Sequence, residues 1–166
     1  MPESAWNDLK RNERDARRRL ILDAARDLFA RRDFKTVTVR EIARSAGVSI
    51  GTLYNYYDNI TELFLDVFLI NARQITRLIE DEYQAAPPSL HRLCALYVNF
   101  LNDNMSFYQM MSHFMLAGGE LPEAATRRLN RVMRTLMDRM DDIVRTSGIS
   151  EPDRTVSHAL FSALNG

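Results

Sequence analysis

Apolar side chains recur at the three- and four-residue spacing of an α-helix in one segment after another, and this pattern predicts an all-α protein. A first helix is predicted over about residues 18–31. Further helices are predicted over about 59–83, 89–102, 107–116 and 122–146, separated by prolines at 87 and 88 and by glycines at 118, 119 and 148. The helix predicted over 59–83 would be ~35 Å long at about 1.5 Å per residue. It can therefore link an N-terminal domain to whatever follows, so that a shift at the far end of this helix would tilt the N-terminal domain.

Residues 38–57 predict two short helices joined by a tight turn. Thr38 and Glu41 form a capping box that begins the first helix. Gly47 supplies the left-handed residue that ends it, and Ser49 is the N-cap of a second helix predicted over 50–56. Two helices joined by a short turn that contains glycine make a helix-turn-helix, whose second helix enters the major groove of DNA.

The second helix of this motif carries hydroxyl and phenol groups of the kind that contact phosphates and base edges. Gly51 removes bulk where a backbone can approach a phosphate, whereas Leu53 and Tyr57 are expected to face inward. The predicted DNA contacts are Thr38, Arg40, Ser49, Ile50, Gly51, Thr52, Tyr54, Asn55 and Tyr56. The alternative is a helical interaction module in which the same corner serves only for packing.

Three runs of sequence, together with Glu62 and Leu63, carry a resemblance to a known family; they are Ile21–Phe29, Thr38–Ala43 and Ala46–Tyr57. They closely resemble the DNA-binding domain of TetR-type transcriptional regulators, over about fifty residues. The resemblance implies an all-helical homodimeric repressor whose C-terminal domain binds a small molecule and then releases DNA. The implied architecture is an N-terminal three-helix DNA-binding domain over 1–58 and an antiparallel helical ligand-binding and dimerisation domain over 59–166.

Two positions depart from the family pattern. Asp33 stands where the family usually has a glycine, and aspartate tolerates the left-handed region better than most residues. Ile60 stands where the family usually has a lysine that contacts a phosphate. A basic run within residues 1–19 offers compensating contacts as an arm or a first turn of helix; it comprises Lys10, Arg11, Arg14, Arg17, Arg18 and Arg19. The alternative is a solvated helix end, because Glu13 and Asp15 interrupt the run.

The charge distribution agrees with a DNA-facing N-terminal half. The chain of 166 residues has 22 basic and 22 acidic side chains, and this balance argues against nonspecific binding of polyanions. Residues 1–60, however, carry 12 basic against 9 acidic side chains, a net of +3, and residues 61–166 carry 10 against 13, a net of −3. The positive charge lies on the half that holds the motif.

Several function classes find no support in the sequence. No nucleophile is paired with a base, and no phosphate-binding glycine loop or metal-ligand spacing occurs, so we expect neither an enzyme nor a bound metal or cofactor. The chain lacks an apolar run of the ~20 residues that a membrane span needs, and it lacks a signal-peptide core, which predicts a cytoplasmic protein with no membrane contact. Cys94 is the single cysteine and is expected to be a buried thiol.

The C-terminal half is rich in residues that line apolar pockets. Seven of the eight methionines lie between residues 97 and 140, and methionine and aromatic side chains adapt to apolar ligands. The candidate pocket wall is Tyr97, Phe100, Phe107, Tyr108, Met111, Phe114, Met115, Met133 and Met137. Ordinary core is the alternative for each of them. The chain stops at Gly166 within an apolar helix, so we expect it to lack a C-terminal segment of the dimer interface.

Overall fold

The computed structural model of the chain describes residues 2–85, 89–116, 121–148 and 154–165. Its helices are α1 (Pro2–Phe29), α2 (Val39–Ser45), α3 (Ile50–Tyr54), α4 (Ile60–Ala85), α5 (Leu90–Asp103), α6 (Met105–Leu116), α7 (Glu123–Thr146) and α8 (Arg154–Asn165). One turn of 3-10 helix, Phe34–Thr36, precedes α2. These described ranges contain no strand, and the predicted all-α class is confirmed.

The chain packs as two compact units, Met1–Val67 and Phe68–Gly166. The first unit holds α1, α2, α3 and the first residues of α4, and the second holds the remainder of α4 together with α5 to α8. The division by packing falls within α4. The predicted functional boundary between residues 58 and 59 stays a prediction.

The core of the first unit forms where α1 packs against α2. Ile21 and Ala25 of α1 are fully buried, as is Ile42 of α2. Phe29, Phe34 and Phe64 meet edge to face, with ring centroids 5.2–6.4 Å apart, and edge-to-face pairs are favoured by about 0.5–1.5 kcal/mol each beyond their burial. The C-terminal half of α1 is therefore the brace behind the motif, as its apolar stripe predicted.

Helix α1 begins about sixteen residues earlier than its apolar stripe predicted, at Pro2 and not near residue 18. Every side chain from Trp6 to Leu20 is exposed, so no core stabilises this part of the helix. Ion pairs one turn apart, Asp8 with Arg11 and Glu13 with Arg17, support it locally. An exposed helix carries no apolar periodicity, which is why the pattern placed the start too late.

Two local expectations near the motif are corrected. Asp33 does not adopt the left-handed region: its φ is −53°, and its carboxylate accepts a hydrogen bond from the backbone N–H of Lys35 at 2.9 Å. It therefore caps the 3-10 turn. Helix α3 ends at Tyr54 and not at residue 56. The N–H of Asn55 is shared between the carbonyls of Gly51 and Thr52, and the N–H of Tyr56 bonds to the carbonyl of Leu53, three residues back, which tightens the last turn.

The core of the second unit contains a chain of aromatic rings. Phe68 stacks on Phe107 with centroids 4.9 Å apart, and Phe107 meets Phe100 edge to face at 5.5 Å. Tyr97 is fully buried, and its hydroxyl lies 3.2 Å from the side-chain amide of Asn165 in α8. Burial raises the pKa of Tyr97 to about 12, against a smaller lowering by Asn165. This contact holds α8 to α5.

The other helix ends of the second unit agree closely with the predicted ones. Helix α7 begins after Pro122 and ends before Gly148, which has φ of +81°. Cys94 of α5 is half-buried, so it is less enclosed than the buried thiol predicted.

Candidate nucleic-acid interface and ligand cleft

The entry to α2 is held by a capping box. The N–H of Glu41 donates to Thr38 Oγ1 at 3.3 Å, and Glu41 Oε2 accepts from the N–H of Thr38 at 2.9 Å. Arg32 forms an ion pair with Glu41 at 2.6 Å. Hydrogen bonding from Arg32, followed by that from Thr38, lowers the pKa of Glu41 to about 2. The first turn of α2 is thus tied to the segment that follows α1.

The turn between α2 and α3 depends on Gly47, which has φ of +68°. The N–H of Gly47 donates to the carbonyl of Arg44 at 3.2 Å, and the N–H of Val48 donates to the carbonyl of Ala43 at 3.0 Å. This pair of bonds is a Schellman motif. A Cβ at Gly47 would meet nothing within 4 Å, so the backbone conformation alone demands glycine there.

Ser49 caps α3 as predicted. The N–H of Thr52 donates to Ser49 Oγ at 3.0 Å, and the two hydroxyl oxygens lie 2.9 Å apart. Both hydroxyls are therefore engaged within the helix. A phosphate that accepted hydrogen bonds from these hydroxyls would compete with the N-cap interactions of α3.

Helix α3 has one buried and one exposed side. Leu53 is fully buried, and Tyr57 just beyond the helix is 3% exposed. On the outer side, Ile50 and Tyr54 are 39% and 49% exposed. A short helix that is fixed from behind and presents large side chains outward is suited to contact another surface.

Gly51 is also exposed, and the fold does not require it. Its φ lies outside the left-handed range, and an added Cβ would only touch Ser49 Oγ, at 3.8 Å. Glycine within a helix costs stability relative to alanine. Its presence on the outer side of α3 thus leaves the backbone open to close approach by a partner.

The structure places the nine predicted DNA-contacting residues around this one corner. Exposed among them are Thr38, Arg40, Ser49, Ile50, Gly51, Tyr54 and Asn55. Thr52 and Tyr56 are half-buried. The guanidinium of Arg14 lies over the ring of Tyr56, 5.8 Å from its centroid, a contact that sequence reasoning missed.

One member of the basic run has a structural role. Arg18 forms an ion pair with Asp66 of α4 and lies 5.9 Å from the centroid of the Tyr57 ring. The Asp66 side chain is only 5% exposed. Arg18 thus joins α1 to α4 and to the end of α3. The sequence signal for this ion pair was the carboxylate of Asp66 within the apolar run 63–69, because a buried charge requires a partner.

The second unit contains a cleft of about 350 Å³. Its lining residues are Phe68, Met111, Phe114, Thr126, Leu129, Asn130, Met133, Met137, His158, Phe161 and Ser162. The wall is thus largely thioether and aromatic, with a few polar groups. Such a composition and volume are typical of small-molecule sites.

Four of the nine predicted pocket residues line this cleft, namely Met111, Phe114, Met133 and Met137. Tyr97, Phe100 and Phe107 lie in the core and are not in the cleft wall, and Tyr108 is half-buried elsewhere. The side chain of Met115 lies outside the described residues. The α8 residues of the wall were missed, since a helical stripe does not reveal which helices meet.

Within residues 2–85, 89–116, 121–148 and 154–165, no helix has the length and apolarity needed to cross a membrane. The same part of the chain contains no group of three or more histidine, cysteine or acidic side chains able to hold a metal ion.

Residues 21–67 match the family of bacterial regulatory proteins, tetR family. The chain is 21% identical to the uncharacterized HTH-type transcriptional regulator YhgD of Bacillus subtilis over 141 residues, covering 82% of this chain and 74% of the relative. It is 32% identical to the HTH-type transcriptional repressor KstR of Rhodococcus jostii over 87 residues, covering 52% of this chain and 39% of KstR. The matched region of KstR is thus less than half of that protein.

A solved structure shares the fold over most of the chain. The fatty acid degradation regulator FadR from Bacillus halodurans superposes with a TM-score of 0.68 and covers 89% of this chain and 79% of its own. The identity is 19%. At that level the likeness establishes the fold alone.

Proposed function

We propose that this chain, a TetR-family transcriptional regulator by the sequence of its N-terminal domain and by its fold, is a cytoplasmic dimeric repressor that binds a duplex DNA operator through α2 and α3. The observation that carries this proposal is the exposed face of α3, with Ile50 and Tyr54 outward and Leu53 locked behind them. Side chains at the start of such a helix reach base edges in the major groove, while hydroxyls and backbone N–H groups bind phosphates.

The distribution of charge and glycine supports DNA as the partner of this face. The first 60 residues have a net charge of +3 within a chain of zero net charge. An excess of positive charge near the motif favours contact with phosphates. The exposed backbone at Gly51 adds a place where a phosphate can approach closely. Repression is the mode suggested by the similarity to KstR, a transcriptional repressor.

Dimerisation would place two α3 helices on successive turns of the duplex. A two-fold protein that reads DNA with one helix per subunit binds half-sites about 34–36 Å apart. The operator is accordingly expected to be pseudo-palindromic. A selection of bound sequences from a random duplex library, with the full chain at low salt, would yield such a consensus.

The effector is proposed to be a small apolar molecule that occupies the cleft of the second unit and weakens DNA binding. The cleft wall offers Met111, Met133 and Met137, whose flexible side chains adapt to a ligand. His158 and Ser162 supply polar groups that can orient one polar end of the molecule. An effector acts in this way only if it binds the DNA-free form more tightly.

DNA binding is tested by replacing Tyr54 with alanine and measuring affinity for the selected operator across a range of salt. Loss of the outward tyrosine is expected to weaken operator binding by roughly ten-fold, comparable to one lost specific contact of about 1–3 kcal/mol. Tyr83→Ala is the matched control, because Tyr83 is 39% exposed and lies on α4 in the second unit. Equal affinity of the two variants, or wild-type affinity that does not fall with salt, would refute the proposal.

The effector site is tested by filling the cleft. Met133 lines it and is half-buried, so Met133→Trp is expected to occupy the space and abolish binding of a fluorescent apolar probe such as 1-anilinonaphthalene-8-sulfonate. Met105→Trp is the control, because Met105 is 53% exposed and is absent from the cleft wall. If both variants bind the probe like wild type, the cleft is not the site.

A further inference from the structure

The buried face of α1 turns basic where the helix leaves the core. Ile21 and Ala25 are fully buried, and stepping back by three or four residues from Ile21 leads to Arg18, Arg14 and Lys10. Side chains three and four residues apart lie on the same face of a helix. All side chains from 6 to 20 are exposed. The face that packs on the motif therefore continues as a row of cations.

The second cation of this row lies beside the residues that follow α3. Arg14 is over the ring of Tyr56 at 5.8 Å, and Tyr56 follows directly after the exposed residues Tyr54 and Asn55. Lys10 lies one turn further out, with its Nζ 5.1 Å from the centroid of the Trp6 ring. Aromatic contacts orient a cation but leave its charge in place.

The neighbouring basic residues of α1 are engaged differently. Arg11 and Arg17 have carboxylate partners on the same helix, Asp8 and Glu13. Among the described residues, neither Lys10 nor Arg14 forms such an ion pair. These two side chains therefore present uncompensated positive charge on the side of α1 that faces the motif.

We propose that Lys10 and Arg14 form a second DNA-contacting element, which binds phosphates of the backbone next to the site read by α3. This inference rests on the proposed function. Phosphate contacts of this kind set the register of a protein on the duplex and carry no sequence information themselves.

The experiment compares three single alanine variants that each remove one positive charge from α1: Lys10→Ala, Arg14→Ala and Arg19→Ala. Arg19 is the control, because five residues along a helix turn its side chain about 140° away from that of Arg14. Its Nε donates instead to the backbone carbonyl of Asp15. Operator affinity of the full chain is measured at several salt concentrations.

Each lost phosphate contact is expected to reduce the slope of log affinity against log salt by about 1. Lys10→Ala and Arg14→Ala should show this reduction and bind the operator roughly three- to ten-fold more weakly, while Arg19→Ala stays within two-fold of wild type. Trp6 provides a separate readout, since it is the single tryptophan and lies beside Lys10. Its fluorescence should change when operator DNA is added.

The outcomes separate the two proposals. If the wild type does not bind DNA, or if Tyr54→Ala has no effect, the proposed function fails. If the wild type binds DNA and Tyr54→Ala weakens that binding, but Lys10→Ala and Arg14→Ala behave like Arg19→Ala and Trp6 fluorescence is unchanged at saturation, this inference is overturned. Should Arg14→Ala unfold by circular dichroism, Lys10→Ala decides the matter, because Lys10 lies outside the core.

Discussion

Replacing Arg18 with alanine removes its ion pair with Asp66 and is expected to destabilise the first unit. The Asp66 side chain is 5% exposed and that of Arg18 is 45% exposed. A hydrogen bond to a charged group contributes about 1.5–3 kcal/mol, whereas breaking a fully buried ion pair costs about 3–5 kcal/mol. Because water reaches the guanidinium, the lower range applies, and we expect a loss of about 2 kcal/mol.

Arg17→Ala is the matched control for this change. It removes the same side chain from the adjacent position of α1, where the partner is Glu13 and the two side chains are 52% and 58% exposed. Exposed pairs one helical turn apart contribute about 0.3–0.5 kcal/mol. The two variants have the same net charge, so their difference reports the burial of the acidic partner.

Urea unfolding followed by far-ultraviolet circular dichroism measures the free energies of both variants. The double variant of Arg18→Ala with Asp66→Asn completes a thermodynamic cycle, which isolates the coupling between the two side chains. A coupling below about 0.5 kcal/mol, the value for a surface pair, would refute the reasoning. So would equal destabilisation by Arg18→Ala and Arg17→Ala.

Two glycines of the motif and one tyrosine of the second unit give further expectations. Gly47→Ala forces a side chain into the left-handed region and should lower the free energy of urea unfolding by about 1–2 kcal/mol; a Gly47→Ala variant as stable as wild type would contradict this. Gly51→Ala should leave stability equal or higher and instead weaken operator binding. Unchanged operator affinity of Gly51→Ala would contradict that expectation. Burial raises the pKa of Tyr97 from 10.0 to about 12, so the folded state holds the phenolic proton more tightly than the unfolded state does. The stabilisation that Tyr97 provides is therefore complete below pH 10 and is lost as the pH rises towards 12. The expected loss in the free energy of unfolding is about 2–3 kcal/mol, and the stability of Tyr97→Phe should not change over that pH range. Parallel curves of stability against pH for wild type and Tyr97→Phe would exclude this contribution of Tyr97.

The local parts of the fold could be predicted because each depends on residues close together in the chain. The Thr38–Glu41 capping box, the left-handed Gly47 and the Ser49 cap all involve groups within three or four residues of one another. Their geometry follows from backbone stereochemistry and short-range hydrogen bonds. The inward positions of Leu53 and Tyr57 followed from the same helical register.

Contacts between distant segments were decided by the tertiary structure. Arg18 and Asp66 are 48 residues apart, and the run of cations on α1 did not indicate that one of them pairs with a buried acid. The contact of Arg14 with the ring of Tyr56 was equally hidden, because an exposed helix has no apolar period to mark its inner face.

The same limit explains the partial agreement for the cleft. Phe107 and Phe114 are both predicted pocket residues, yet only Phe114 reaches the cleft, while Phe107 packs between Phe68 and Phe100. Apolar packing has no directional signature in sequence, so an inward residue can face a core or a cavity equally well. Where a helix carries an apolar stripe, the sequence by itself determined which side is buried, and it also determined how the motif begins and turns. Only the assembled helices decided which buried sides meet and where they leave a space.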